Sequence, residues 1–153
     1  MSIMWKYLDK KAATVAAIKD YDSMAFILEH TDESILQEQD RMTGLGAVNM
    51  DGMPHGHNPQ AGEDRVIAAL DEIDILKERY RQAKEYMDWF QPAWDQLSED
   101  ERFVLDVFIR DNDGYGSNAA SYVAQKFCIE QTSAYKKKNR ALDHMTVLLF
   151  GRV

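Results

Sequence analysis

One cysteine, Cys128, stands in 153 residues, so no disulfide can close within the chain and its stability must come from packing. Prolines number three, Pro54, Pro59 and Pro92, which leaves long stretches where a helix meets no missing donor. No run approaches the roughly 18 apolar residues of a membrane span. The N-terminus, MSIMWKYLDKK, turns charged at once and lacks the apolar stretch and small-residue cleavage site of a signal peptide. A cytoplasmic protein with no membrane partner is therefore expected. Also missing are a phosphate-binding glycine loop ahead of a helix, a GxSxG elbow and an HExxH pair. Neither an enzyme nor a catalytic residue is expected, and no cofactor. His55 and His57 in PHGH, with Asp51 nearby, have no cysteine or second fixed carboxylate to complete a site, so no metal is expected.

The chain is acidic, with a formal net charge of −8, but the charge is unevenly spread. Residues 1–60 carry five Lys/Arg against nine Asp/Glu, residues 61–113 seven against fifteen, and residues 114–153 six against two. An acidic body with a basic end marks a localised nucleic-acid contact and argues against indiscriminate coating of DNA.

Apolar spacing throughout is helical. Trp5, Leu8, Ala12, Val15, Ile18, Tyr21, Ala25 and Leu28 predict a helix from Met4 to about Met42, with HTDES at 30–34 as an alternative cap for a second one. Five glycines and two prolines make residues 43–62 a long loop. From Glu63 to Trp94, steps of three and four residues through Val66, Ala69, Ile73, Leu76, Tyr80, Ala83, Met87, Phe90 and Trp94 form the seam of a coiled coil or helical hairpin. Leu70, Ile75 and Tyr86 lie off this seam, so homo-oligomer formation through the long helices is expected. Ser98 and Glu101 form a capping box ahead of Phe103, Val104, Val107 and Phe108. The turn-rich DNDGYGSN then precedes a short helix, AASYVAQKF, and a basic helix that runs to about Phe150, where Gly151 ends it. The fold class expected is all-α, with a long antiparallel helical hairpin in residues 1–94 and a three-helix helix-turn-helix domain in residues 95–153.

Placed at helical steps, Ala134, Ala141, Leu142, Met145, Leu148 and Leu149 share the core side of the last helix. Thr132, Lys136, Asn139 and Asp143 point the other way, flanked by Ser133 and Arg140. Donors and small hydroxyls of this kind reach base edges and phosphates in a major groove. The DNA-contacting set expected is Thr132, Ser133, Lys136, Lys137, Asn139 and Arg140, with Lys137 on the backbone. Lys138 falls close to the core side and must run its stem over apolar surface. Cys128 is expected to fill a small apolar gap in the turn.

LSEDERFVLDVFI, the Val123–Ala124 pair in SYVAQKF, and KKKNRAL together resemble region four of primary-type sigma factors, a promoter-reading domain. With the DGMPHGHNPQ loop between two long helices, nearly the whole chain is similar to small phage and prophage late-transcription regulators of the RinA and ArpU type. The resemblance implies a sequence-specific transcriptional regulator of phage late genes that binds double-stranded DNA, with RNA polymerase as a second partner. Two other functions fit a chain of this build. One is a sigma-like interaction protein that binds polymerase or a regulator without DNA; the other is a packaging-site binder like the small terminase subunits. The family has glycine where Cys128 stands and serine where Glu130 stands.

Overall fold

The computed structural model describes residues 3–47 and 59–152, and among them every regular element is helical. A 3-10 turn, Ile3–Tyr7, leads into α1 (Lys10–Ala47), followed by α2 (Pro59–Gln96), α3 (Glu99–Leu105) and a π-helical turn (Asp106–Arg110). Then come α4 (Asn112–Tyr115), a second 3-10 turn (Gly116–Asn118), α5 (Ala119–Phe127) and α6 (Gln131–Phe150).

Local hydrogen bonding explains where the long helices start and why they continue. Asp9 caps α1: its carboxylate accepts from the Ala12 amide at 3.1 Å and its carbonyl from the Ala13 amide at 3.0 Å. The helix therefore begins at Lys10 and not at Met4, and Leu8 is left exposed. HTDES does not interrupt α1, because the Thr31 and Ser34 hydroxyls donate back to the carbonyls of Ile27 and His30 instead of capping a new start. Residues 43–47 continue the helix, and α2 opens at Pro59, where a missing donor is harmless. The expected loop 43–62 is thus shorter at both ends. Residues 48–58, with Asp51, His55 and His57, lie outside the described residues.

Two compact units emerge, and their border does not fall at Trp94. One comprises residues 1–23 and 86–153; the other is residues 24–85. In the first unit, Ala17 and Ile18 of α1, Phe90, Ala93 and Trp94 of α2, and Ala141, Leu142, Met145 and Leu149 of α6 share one core with Leu97, Leu105 and Ile109. Tyr21, Tyr86 and Trp94 pack their rings around Phe90, with centroids 5.2 to 5.7 Å from it. Tyr21 and Tyr86 also bridge the helices by donating to the Gln91 side chain and the Ala17 carbonyl. Burial pushes the Tyr86 hydroxyl well above its ordinary range.

Ser98 caps α3 by accepting from the Glu101 amide at 3.2 Å, as its spacing predicts. The Glu101 carboxylate accepts from the Ser98 hydroxyl and does not close the second half of the box. The π turn that follows is closed by the Asp111 amide on the Asp106 carbonyl at 2.7 Å. This segment separates two clusters. Leu105 and Ile109 face the core just described, while Val104 and Val107 face Ala119, Val123 and Ala134. Arg110 ties the turn to α1, standing 3.6 Å from Asp22 and over the Tyr21 ring. Burial raises the Asp106 carboxyl above the usual range, against the pull of Arg110 3.3 Å away.

The second unit buries little. Thr31, Ala69, Ile73 and Ala83 are enclosed, whereas Val66, expected on the seam, is exposed beside Ile67 and Leu70. Glu38, Arg41, Arg65, Ala68, Ala69 and Glu72, from both helices, line one shallow pocket. Arg81 holds Glu78 and Glu85 along the solvent side of α2. No described helix is long and apolar enough to cross a membrane.

Candidate nucleic-acid interface

The basic helix α6 is positioned by the end of α5. Cys128 adopts the left-handed conformation, with φ 54° and ψ 47°, which lets its amide reach the Gln125 carbonyl at 3.4 Å and the Ile129 amide reach the Ala124 carbonyl at 2.9 Å. These two bonds satisfy carbonyls that the helix end would otherwise leave open and turn the chain sharply. Cys128 itself is exposed, so it does not fill an apolar gap; Ile129 packs there, against the cluster of Val104, Val107 and Val123. A side chain in this conformation is strained by about 1–2 kcal/mol, part of which glycine returns as unfolded-state freedom. Cys128→Gly is expected to stabilise the protein by about 0.5–1 kcal/mol, seen as a rise of about 1–4 °C in the thermal midpoint. A fall in the midpoint would contradict the strain.

Glu130 occupies the cap position of α6 in an extended conformation, and its side chain makes no capping bond. The start of the helix is held by its first residue instead. Gln131 donates from Nε2 to the Ser121 hydroxyl of α5 at 2.8 Å. With Ala134 fully buried between α5 and α3, two helices joined by residues 128–130 are fixed against a third.

On this support Thr132, Lys136, Asn139 and Arg140 are exposed on the open side of α6, and Ser133 is half-buried at its flank. Neither Lys136 nor Arg140 has an ion pair among the described residues. Lys137 is drawn sideways, its ammonium 4.5 Å from the centre of the Phe127 ring, and Lys138 lies 5.5 Å from that of Phe108. Lys138 thus runs over apolar surface as its phase predicts. Lys137 has part of its hydration replaced by the ring, which leaves it less free than its flank position implies.

Only the first half of the outward face is open. Thr146 has the same helical phase as the outward residues, yet it is fully buried, because Thr14 of α1 meets it with the two hydroxyls 3.0 Å apart. Thr146 also donates to the Leu142 carbonyl. Asp143 is met by Lys11, with Nζ 2.8 Å from Oδ1. The start of α1 therefore closes the outward face beyond Arg140. Tyr135, absent from the expected set, is half exposed beside that face, its ring 5.6 Å from Phe108. Its helical phase, next to that of Thr132 and Asn139, places it there. On α5, Tyr122 is partly exposed and its ring lies tilted against that of Tyr115, whose hydroxyl this neighbour holds above the ordinary range.

Behind Arg140 a pocket of about 320 Å³ lies between α3 and α6, lined by Ser98, Asp100, Glu101, Lys137, Arg140 and His144 among others. His144 Nδ1 stands 2.6 Å from Glu101 Oε2, a strut that fixes α6 against the start of α3. Charges of both signs line it, so it does not present a single-sign field to a ligand. Among the described residues no group of three or more His, Cys, Asp or Glu is placed to hold a metal ion.

Compared with protein-family models, with curated proteins and with solved structures, the chain matches none.

Proposed function

We propose that the chain is a sequence-specific DNA-binding transcriptional regulator: an antiparallel helical hairpin carrying a helix-turn-helix similar to sigma region four, with α6 entering the major groove. Its likeness to the RinA and ArpU regulators makes phage late genes its target. The observation that carries this reading is the open first half of α6, where Lys136 and Arg140 project beside Thr132 and Asn139 with no ion pair among the described residues. Cations left unpaired on an otherwise acidic protein, on a helix held rigidly by its neighbours, suit phosphate and base contact. Lys136 and Arg140 take bases or phosphates, Thr132 and Ser133 the groove edge near the helix start, Asn139 a base edge, and Lys137 a backbone phosphate. In residues 24–85, the exposed Val66, Ile67 and Leu70 support self-association through the long helices. By the same likeness, RNA polymerase is the protein partner.

One observation favours a second reading. Glu130 is exposed at the start of α6, where a groove-entering helix would bring it towards phosphates. A sigma-like protein that binds polymerase or a regulator without DNA has no such conflict. Recovery of genomic fragments with the full chain separates the two. Wild type enriches a defined site, and Lys136→Ala loses that enrichment. If wild type enriches no fragment, the DNA reading is wrong, and if Lys136→Ala enriches the same site equally well, the assignment of the α6 face is wrong.

A further inference from the structure

The sole carboxylate on α6 is Asp143, and it shares the phase of Thr132, Lys136 and Asn139. Left bare, it would place a negative charge at the border of a surface meant for phosphates. Its Oδ1 atom is shut off from solvent and has no hydrogen-bond partner of good geometry among the described residues; the Lys11 ammonium at 2.8 Å is the group it meets. Lys11 is held there by more than its own ion pair. One turn on, Thr14 and Thr146 join their hydroxyls in a fully buried contact, so α1 and α6 advance in step, Lys11 to Asp143 and Thr14 to Thr146. Both members of the ion pair remain about half exposed, which puts their charges within reach of a ligand on the open side of α6.

We propose that Lys11 is an affinity-setting residue of the nucleic-acid surface, acting by neutralising Asp143 at the border of the reading face and not by touching DNA itself. The inference rests on the DNA-binding reading. With Lys11 in place the border is neutral, and without it a unit negative charge faces the duplex across solvent. At low salt, where the screening length exceeds the distance to the nearest phosphates, that charge lowers affinity by about threefold to tenfold. The effect fades as salt rises.

A cycle of four full-length proteins separates masking from direct contact: wild type, Lys11→Ala, Asp143→Asn, and the double variant. The probe is a fluorescein-labelled mixed-sequence duplex of about 30 base pairs, read by anisotropy at about 50 mM and 200 mM salt. Circular dichroism melts show that each variant folds, as expected for a half-exposed pair outside the core. Lys11→Ala binds about threefold to tenfold more weakly at low salt, Asp143→Asn binds at least as well as wild type, and the double variant, whose border is neutral again, binds like wild type. A double variant that binds as weakly as Lys11→Ala means that Lys11 contacts DNA itself and overturns the masking role, as does Lys11→Ala binding like wild type. A wild type that fails to bind the duplex at either salt concentration overturns the functional reading beneath it, a result distinct from either of these.

Discussion

A chain cut to residues 95–153 is expected to lose the sharp, cooperative thermal transition of the full-length protein and to give the poorly dispersed spectra of a collapsed but unpacked state. The cut removes Ala17, Ile18, Phe90, Ala93 and Trp94 from a core whose remaining members are Leu97, Leu105, Ile109, Ala141, Leu142, Met145 and Leu149. Ile18, Phe90 and Trp94 alone withdraw about 5–9 kcal/mol of burial, at roughly 1.5–3 kcal/mol for each large apolar side chain. That is comparable with the about 5–15 kcal/mol that holds a whole domain together. The loss extends beyond transfer energy. Thr146 loses its Thr14 partner, Asp143 loses Lys11, and Arg110 loses Asp22 and the Tyr21 ring. Melting followed by circular dichroism, together with amide proton dispersion, decides the matter. A fragment that melts sharply within a few degrees of the full chain would show that residues 1–23 and 86–94 are dispensable to the unit, contrary to the packing.

That expectation marks the point where sequence patterning stops being informative. Helical phase identifies which side of α6 is apolar, and Ala134, Ala141, Leu142, Met145 and Leu149 are buried accordingly. It also finds the seam residues Ala69, Ile73, Ala83, Phe90 and Trp94, the Ser98 cap, and the left-handed Gly151 that ends α6. These are local facts, each set within one or two turns of chain. Phase does not say which distant segment lies on a given face. Thr146 and Asp143 share the outward side, and nothing within α6 announces that Lys11 and Thr14, more than 130 residues earlier in the chain, come to rest there. A pair of threonines is too common to signal a buried contact. Composition and capping change at Trp94, and local pattern cannot show that Phe90, Ala93, Trp94 and Leu97 share one core across that point. Cys128 does not announce its turn by residue type, and only the resemblance, with glycine at this position, points to it: a non-glycine residue in the left-handed region is uncommon, and its cost is tolerated here because the two amide bonds of the turn and the packing of Ile129 depend on it.

The open half of α6 supplies the other large effect. Replacing both Lys136 and Arg140 with alanine is expected to weaken binding to a mixed-sequence duplex by about tenfold to hundredfold at low salt. The slope of log affinity against log salt should become shallower by about two, roughly 0.9 for each phosphate contact removed. Lys138→Ala provides the contrast. It removes a charge of the same sign from the same helix, but that ammonium rests over Phe108 and its stem lies against the core side. If affinity follows the total charge of α6, Lys138→Ala behaves like either single variant and shifts the slope by about one. If it follows the geometry of the open face, the slope is unchanged and affinity falls by less than about twofold, the residue of long-range attraction across a screening length. Stability moves in the opposite order. Lys136 and Arg140 make no ion pair among the described residues, so their removal leaves the melting midpoint where it was, while Lys138→Ala strips cover from Phe108 and lowers it slightly. A double variant that keeps both wild-type affinity and wild-type salt slope would remove α6 from the interface and leave the open face to a partner other than DNA.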